Sequence, residues 1–171
     1  LPICAPMTPN EYISIWKNFK KNSDPLLVSE HRRSYKEKKE FKNFVSSKSK
    51  ISIFVISAAR FEIDKVRAVL NEKNIEKDIF HLLWLKPFKI NKEYIKSLKK
   101  TKKGLVIDST YEICSLSEHI AYTLMKEVKS TKIVNFGMKD QSPGCSEKLL
   151  NGTPNAKQIV EKILNLIKEK V

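Results

Sequence analysis

The sequence predicts an α/β sandwich of three layers, a mostly parallel sheet between helices, with a short N-terminal helix–strand remnant ahead of it. Two observations carry this expectation. From Ile51 to Val171, short and nearly continuous apolar runs alternate with stretches of helical spacing, and strands that are apolar on both faces belong to parallel sheets covered on both sides. The chain has 171 residues, which suits one domain with a small appendage and excludes two large domains.

The elements follow in order. Thr8, Pro9 and Glu11 supply an N-cap, a first-turn proline and the third-position glutamate of a capping box, so a helix is expected from about Pro9 to Lys21. Its apolar face would be Tyr12, Ile15, Trp16 and Phe19. Asn22–Pro25 ends it, and Leu26–Ser29 reads as a short buried strand followed by the polar Glu30, His31, Arg32 and Arg33. One helix and one strand cannot form a core, so residues 1–35 are set apart as a remnant. Residues 36–50 hold six lysines and two glutamates and read as a linker. Residues 51–171 are then the sandwich.

Within it, Ile51–Ser57 is a strand, and Ala58–Asn71 is a helix with Phe61, Ile63, Val66, Val69 and Leu70 inward, ended by Asn74. Ile79–Leu85 is the second strand, stopped by Pro87. Asn91 caps a helix burying Tyr94, Ile95 and Leu98, and Gly104 turns the chain into the strand Leu105–Asp108. Ser115 and Glu118 form a capping box for a helix through Ile120, Ala121, Leu124, Met125 and Val128; Ile133–Phe136 makes a fourth strand ending at Gly137. Thr153 and Pro154 open a last helix with Ile159, Ile163, Leu164 and Ile167 at three- and four-residue spacing.

Charge is the loudest compositional signal, +14 from 33 basic and 19 acidic residues. Only Arg32, Arg33, Arg60 and Arg67 are arginines, whereas base and phosphate recognition leans on the forked guanidinium. The lysines spread along the whole chain, which fits a general residue bias, so no nucleic-acid partner is expected. The apolar runs are too short to span a membrane, and none is expected as a partner either. Cys4, Cys114 and Cys145 show no metal-ligand or redox spacing, and His31, His81 and His119 form no cluster. No metal site is assigned, and reduced thiols point to the cytoplasm.

Ligands of open parallel sheets sit beyond the carboxyl ends of the strands. Ser57–Arg60 offers backbone N–H groups and Arg60 to an anion, but lacks the glycines of a nucleotide cradle. Asp108 is a candidate general base or partner contact, with hydrogen bonding to its own loop as the plainer reading. Cys145 before Glu147 has a helix start that would favour its thiolate, yet no base is identified for it. The long polar loop from Gly137 to Cys145 makes Lys139 and Asp140 candidates for partner contact. His31 and Arg32 form a cationic strand end suited to a subunit interface or a solvated terminus.

The order of these residues resembles a known family. Pro6–Glu11, the helix, Ser23-Asp24-Pro25, Leu26–Ser29 and Glu30–Tyr35 are similar to the last helix and strand of the pyrimidine-binding domain in β subunits of thiamine-diphosphate-dependent 2-oxo acid dehydrogenases. Phe54–Ser57, Leu82–Pro87, Leu105–Asp108, the Gly137 loop and Thr153-Pro154 with the last helix resemble the transketolase-like C-terminal domain. Two places depart from the pattern: His81-Leu82-Leu83 stands where the family has an Asp-x-Arg, and Ser109-Thr110-Tyr111-Glu112 replaces a Gly-rich turn.

The resemblance implies thiamine diphosphate and Mg²⁺ in the complete enzyme, with none on this chain. Glycines 104, 137, 144 and 152 form no Gly-Asp-Gly loop, and the family's activating glutamate lies N-terminal to the matched segment. It therefore implies a C-terminal assembly and interface portion, inactive alone, with no catalytic residue of its own. Implied partners are an α subunit and a second β subunit, with the acyltransferase core as a further candidate. Interface candidates are His31, Arg32, Asp108, Lys139 and Asp140. The alternatives are a transketolase-type sugar enzyme or a free-standing module binding an anion or nucleic acid, the last separable by its steep weakening in salt. Removal of the residues before Lys36 is expected to improve solubility by eliminating an uncovered Trp16 and Phe19.

Overall fold

The sandwich is present in the computed structural model, which describes residues 1–22, 24–142, 144, 146 and 151–169. A four-stranded sheet, all parallel, is built from β3 (Ser52–Ile56), β4 (Asp78–Leu82), β6 (Lys103–Tyr111) and β7 (Lys132–Met138), in the order β4-β3-β6-β7. Helices α2 (Ile63–Glu72) and α5 (Ala156–Lys168) cover one face, closing a core around Ile53, Val55, Leu105 and Ile107. Helices α3 (Lys92–Thr101) and α4 (Leu116–Glu127) cover the other, over Phe54, Phe80, Val106 and Leu124. Alternate strand residues point to opposite faces, which is why the strand centres Ile53–Ile56, Ile79–Phe80 and Leu105–Ile107 are apolar on both sides.

The N-terminal segment is more closely built in than its sequence suggests. Strand β1 (Ile3–Cys4) pairs parallel with β2 (Leu27–Val28) and antiparallel with β5 (Trp84–Lys86), forming a second, three-stranded sheet. The apolar run after Asp78 is thus two strands that divide between two sheets. Ala5 and Met7 are fully buried in the core that also holds Phe54 and Phe80. Removing residues 1–35 would open that core, against the expectation of a more soluble chain. The polar stretch before Lys50 also docks: Phe44 forms an antiparallel bridge with Ile79, and Phe41 packs edge-on against Phe61.

Several local expectations are corrected. Helix α1 (Pro9–Phe19) forms, but of its proposed apolar face only Ile15 is buried. Strand β2 lies at a sheet edge with Leu27 exposed, where a buried strand was expected. The Thr8 side chain does not cap its helix; its hydroxyl donates to Glu40 at 2.6 Å, and Glu11 accepts from the Met7 amide instead of completing a box. The first part of the helix after β3 is a 3₁₀ turn, Ser57–Glu62.

Lys102, at φ 57°, makes the turn after α3, and Gly104 lies inside β6. There a Cβ would sit 3.1 Å from Ile133 and Leu98 side-chain carbons, so packing is what calls for glycine. Strand β7 runs through Gly137 to Met138. The cap of α5 is Asn155, which makes the reciprocal capping box with Gln158. Asn91 caps α3 as expected, accepting from the Tyr94 amide; Ser115 caps α4 by accepting from the Glu118 amide, without the reciprocal Glu118 bond of the expected capping box.

Candidate functional site

The strand order reverses direction between β3 and β6, and this switch point opens a crevice beyond their carboxyl ends. It has a volume of about 420 Å³. Asp108 and Thr110 line it from β6, Ser57 from the turn after β3, Cys114 and Ser115 from the segment between β6 and α4, and Ile3, Leu27 and Leu85 from the small sheet. Ser57 has a positive φ of 49° directly after β3, a conformation that costs a non-glycine residue ~1–3 kcal/mol. Asp108 is buried, and its carboxylate accepts from the Ser109 amide at 2.6 Å and the Thr110 hydroxyl at 3.0 Å. The plainer reading of Asp108 therefore describes its bonds.

A second polar cluster joins α1 to the sandwich. Arg60, in the 3₁₀ turn after β3, is 1% exposed and donates to both carboxylate oxygens of Glu11, at 3.0 and 2.5 Å. It also donates to His81 Nδ1 at 3.3 Å and lies over the Phe41 ring at 5.2 Å. This commitment leaves Arg60 unavailable to an anion at Ser57–Arg60, a segment that already lacked the glycines of a nucleotide cradle. Burial, and then the Arg60 charge, push the His81 imidazole down to about 3. The ring is neutral, with Nδ1 accepting and the proton on Nε2. The sequence carried no local signal for this cluster, because Glu11 lies 49 residues from Arg60.

The five interface candidates lie in three places. His31 caps the 3₁₀ turn Arg32–Lys36 by accepting from the Arg33 amide, and its ring lies 5.9 Å from that of Phe61; Arg32 is exposed beside it. Asp108 lies in the crevice. Lys139 pairs with Glu112 at 2.9 Å, and Asp140 is exposed. Asn151, which sequence reasoning missed, clamps this loop by accepting from the Lys139 amide and donating to the carbonyls of Lys139 and Gln141. Cys145 and Glu147 lie outside the described residues.

The donor set does not fit a diphosphate–Mg²⁺ site. Among the described residues no three His, Cys, Asp or Glu side chains converge as metal ligands. Gly104 and Gly137 are spent on strand packing: a Cβ at Gly137 would lie 2.3 Å from the Thr110 carbonyl oxygen. No helix among the described residues is long and apolar enough to cross a membrane.

A family model described as "Transketolase, C-terminal domain" matches residues 42–159. Among curated proteins, none matches the chain. A solved structure described as "Split gene transketolase, inactive beta4 tetramer" aligns with a TM-score of 0.72 and 16% identity, covering 99% of this chain and 58% of its own. The 2-oxoglutarate:ferredoxin oxidoreductase from Magnetococcus marinus aligns with a TM-score of 0.54 and 14% identity, over 76% of this chain and 20% of its own. At these identities the likeness is one of fold. The chain spans little more than half the length of the first structure and a fifth of the second.

Proposed function

We propose, from the premise that this chain belongs to the transketolase C-terminal domain family, that it serves as the assembly and interface portion of a thiamine-diphosphate-dependent enzyme. The finer reading is the C-terminal part of the β subunit of a 2-oxo acid dehydrogenase, which decarboxylates a 2-oxo acid oxidatively in the cytoplasm. Thiamine diphosphate with Mg²⁺ supplies the electron sink for that chemistry on other parts of the enzyme. This chain's work is to hold subunits in register, through a surface that includes His31, Arg32, Asp108, Lys139 and Asp140. Its partners in this reading are an α subunit and a second β subunit, with the acyltransferase core as a further contact.

One observation carries the reading. Helix α1 is pinned to the sandwich through Glu11, yet leaves Ile13 51%, Trp16 58% and Phe19 38% exposed. Covering each such side chain is worth up to ~1.5–3 kcal/mol, so α1 offers a face that a neighbouring subunit stabilises by covering it.

The test is co-expression with a polypeptide carrying the pyrimidine- and diphosphate-binding modules. A complex measured by light scattering is expected, with 2-oxo acid decarboxylation that depends on thiamine diphosphate. The chain alone is expected to give no turnover, and Trp16→Ala with Phe19→Ala to weaken the complex by about ten-fold or more. Turnover by the chain unaided, or a complex indifferent to both substitutions, refutes the reading. A transketolase-type role is the second reading, favoured by the split transketolase fold covering 99% of this chain. Ketol transfer between sugar phosphates by the same complex would select it.

A further inference from the structure

The two buried aspartates of the sandwich are held in contrasting ways. Asp78, fully buried, receives the Lys100 ammonium at 2.9 Å, the Ser97 hydroxyl at 2.6 Å, the Ser46 amide at 2.9 Å and the Ser49 hydroxyl. Asp108, 3% exposed, receives only a backbone amide and a hydroxyl from its own next two residues. Among the described residues no cation pairs with it. An uncompensated charge in a fold's interior is costly, and a carboxylate has about four lone-pair sites to fill. Asp108 keeps acceptor capacity, and it keeps it on the wall of a cavity.

That cavity has the size and lining of a small-molecule site. Its volume of about 420 Å³ lies within the roughly 300–1,000 Å³ of ligand pockets, which are mainly apolar with a few convergent polar groups. Ile3, Leu27, Leu85 and Leu116 supply the apolar walls; Ser57 and Thr110 are polar members of the lining, the Thr110 hydroxyl donating to the Asp108 carboxylate. The opening of α4 adjoins it, but Ser115 accepts from the Glu118 amide there, which spends part of that helix's pull on anions. The remaining fixed charge is negative.

We propose that this crevice binds a small amphiphilic cation. A primary ammonium would donate to the Asp108 carboxylate and a short hydrocarbon body would lie against Ile3, Leu85 and Leu116. The assignment shares Asp108 with the assembly surface proposed above, but its test reads binding by this chain alone, so it survives or fails separately from the assembly role.

The full chain is titrated with n-hexylammonium, n-hexanol and n-hexanoate, which share a hydrocarbon body and differ in charge. Binding is read from the amide resonances of Asp108–Thr110 and from the N-ethylmaleimide alkylation rate of Cys114, an exposed thiol on the crevice wall, resolved by peptide mass spectrometry. Hexylammonium is expected to bind about ten-fold or more tightly than hexanol and to slow Cys114 alkylation. Asp108→Asn is expected to remove that preference and Asp140→Asn to keep it. Because Asp108 is buried, Ile113→Trp provides a second variant: Ile113 lines the crevice but is 46% exposed, and an indole there should reduce affinity without opening the core. Equal binding of hexanol, a preference for hexanoate, or no saturable response to hexylammonium overturns the proposal.

Discussion

Replacing Glu11 with alanine isolates the contact that holds the first helix on the sandwich. The substitution strands the Arg60 guanidinium, whose side chain is wholly buried, while the Glu11 carboxylate it faces is 17% exposed. Breaking a buried pair costs about 3–5 kcal/mol because one charge is left without compensation. Water at the Glu11 side places this case at the lower end, about 3 kcal/mol. With a urea m value of ~2 kcal/mol/M, the unfolding midpoint should fall by about 1.5 M.

The double variant E11A/R60M removes the stranded charge, so it should be more stable than E11A alone. Glu62→Ala is the control. It deletes ion pairs at 3.5 Å to Arg33 and Lys65, whose side chains are 54% and 67% exposed, and should change stability by no more than about 0.5 kcal/mol. The reasoning is refuted if E11A unfolds within about 0.5 kcal/mol of the wild type, or if the double variant is no better than E11A.

Three further outcomes follow from the structure. The unfolded chain protonates His81 near its ordinary 6.5, and the folded chain only at about 3, so unfolding takes up a proton across this window. Stability should fall by up to ~1.4 kcal/mol per pH unit as pH drops from 6.5 towards 3; His81→Asn should flatten the upper part of that slope in pH-dependent urea titrations. Burial raises the Asp78 carboxyl, but the Lys100, Ser49, Ser97 and Ser46 hydrogen bonds outweigh it and hold the pKa below its ordinary value; Asp78→Asn should cost about 2–3 kcal/mol at neutral pH, read by the same unfolding assay. Gly137→Ala should cost about 3 kcal/mol, because its Cβ would meet the Thr110 backbone oxygen, whereas Gly104→Ala should cost about 1 kcal/mol, because it meets side-chain carbons of Leu98 and Ile133 at 3.1 Å and no backbone atom; calorimetric melting of both variants compares them.

The sequence by itself determined the elements whose causes are local. Asn91 and Ser115 cap their helices because each accepts from an amide three residues on. The apolar runs became the centres of the parallel strands because a sheet covered on both faces buries both sides of each strand. The likeness to the transketolase C-terminal domain was legible for the same reason, since it rests on the order of such elements. Tertiary structure alone decided where long-range partners sit. Glu11 had a capping box available beside it, yet the buried Arg60 took its carboxylate; Thr8 turned to Glu40, and the run after Asp78 divided when Trp84–Lys86 found β1. The crevice followed in the same way, because the reversal between β3 and β6 depends on which strand edges pair. Ion pairing, strand pairing and burial join residues tens of positions apart, and spacing along the chain carries no trace of that choice.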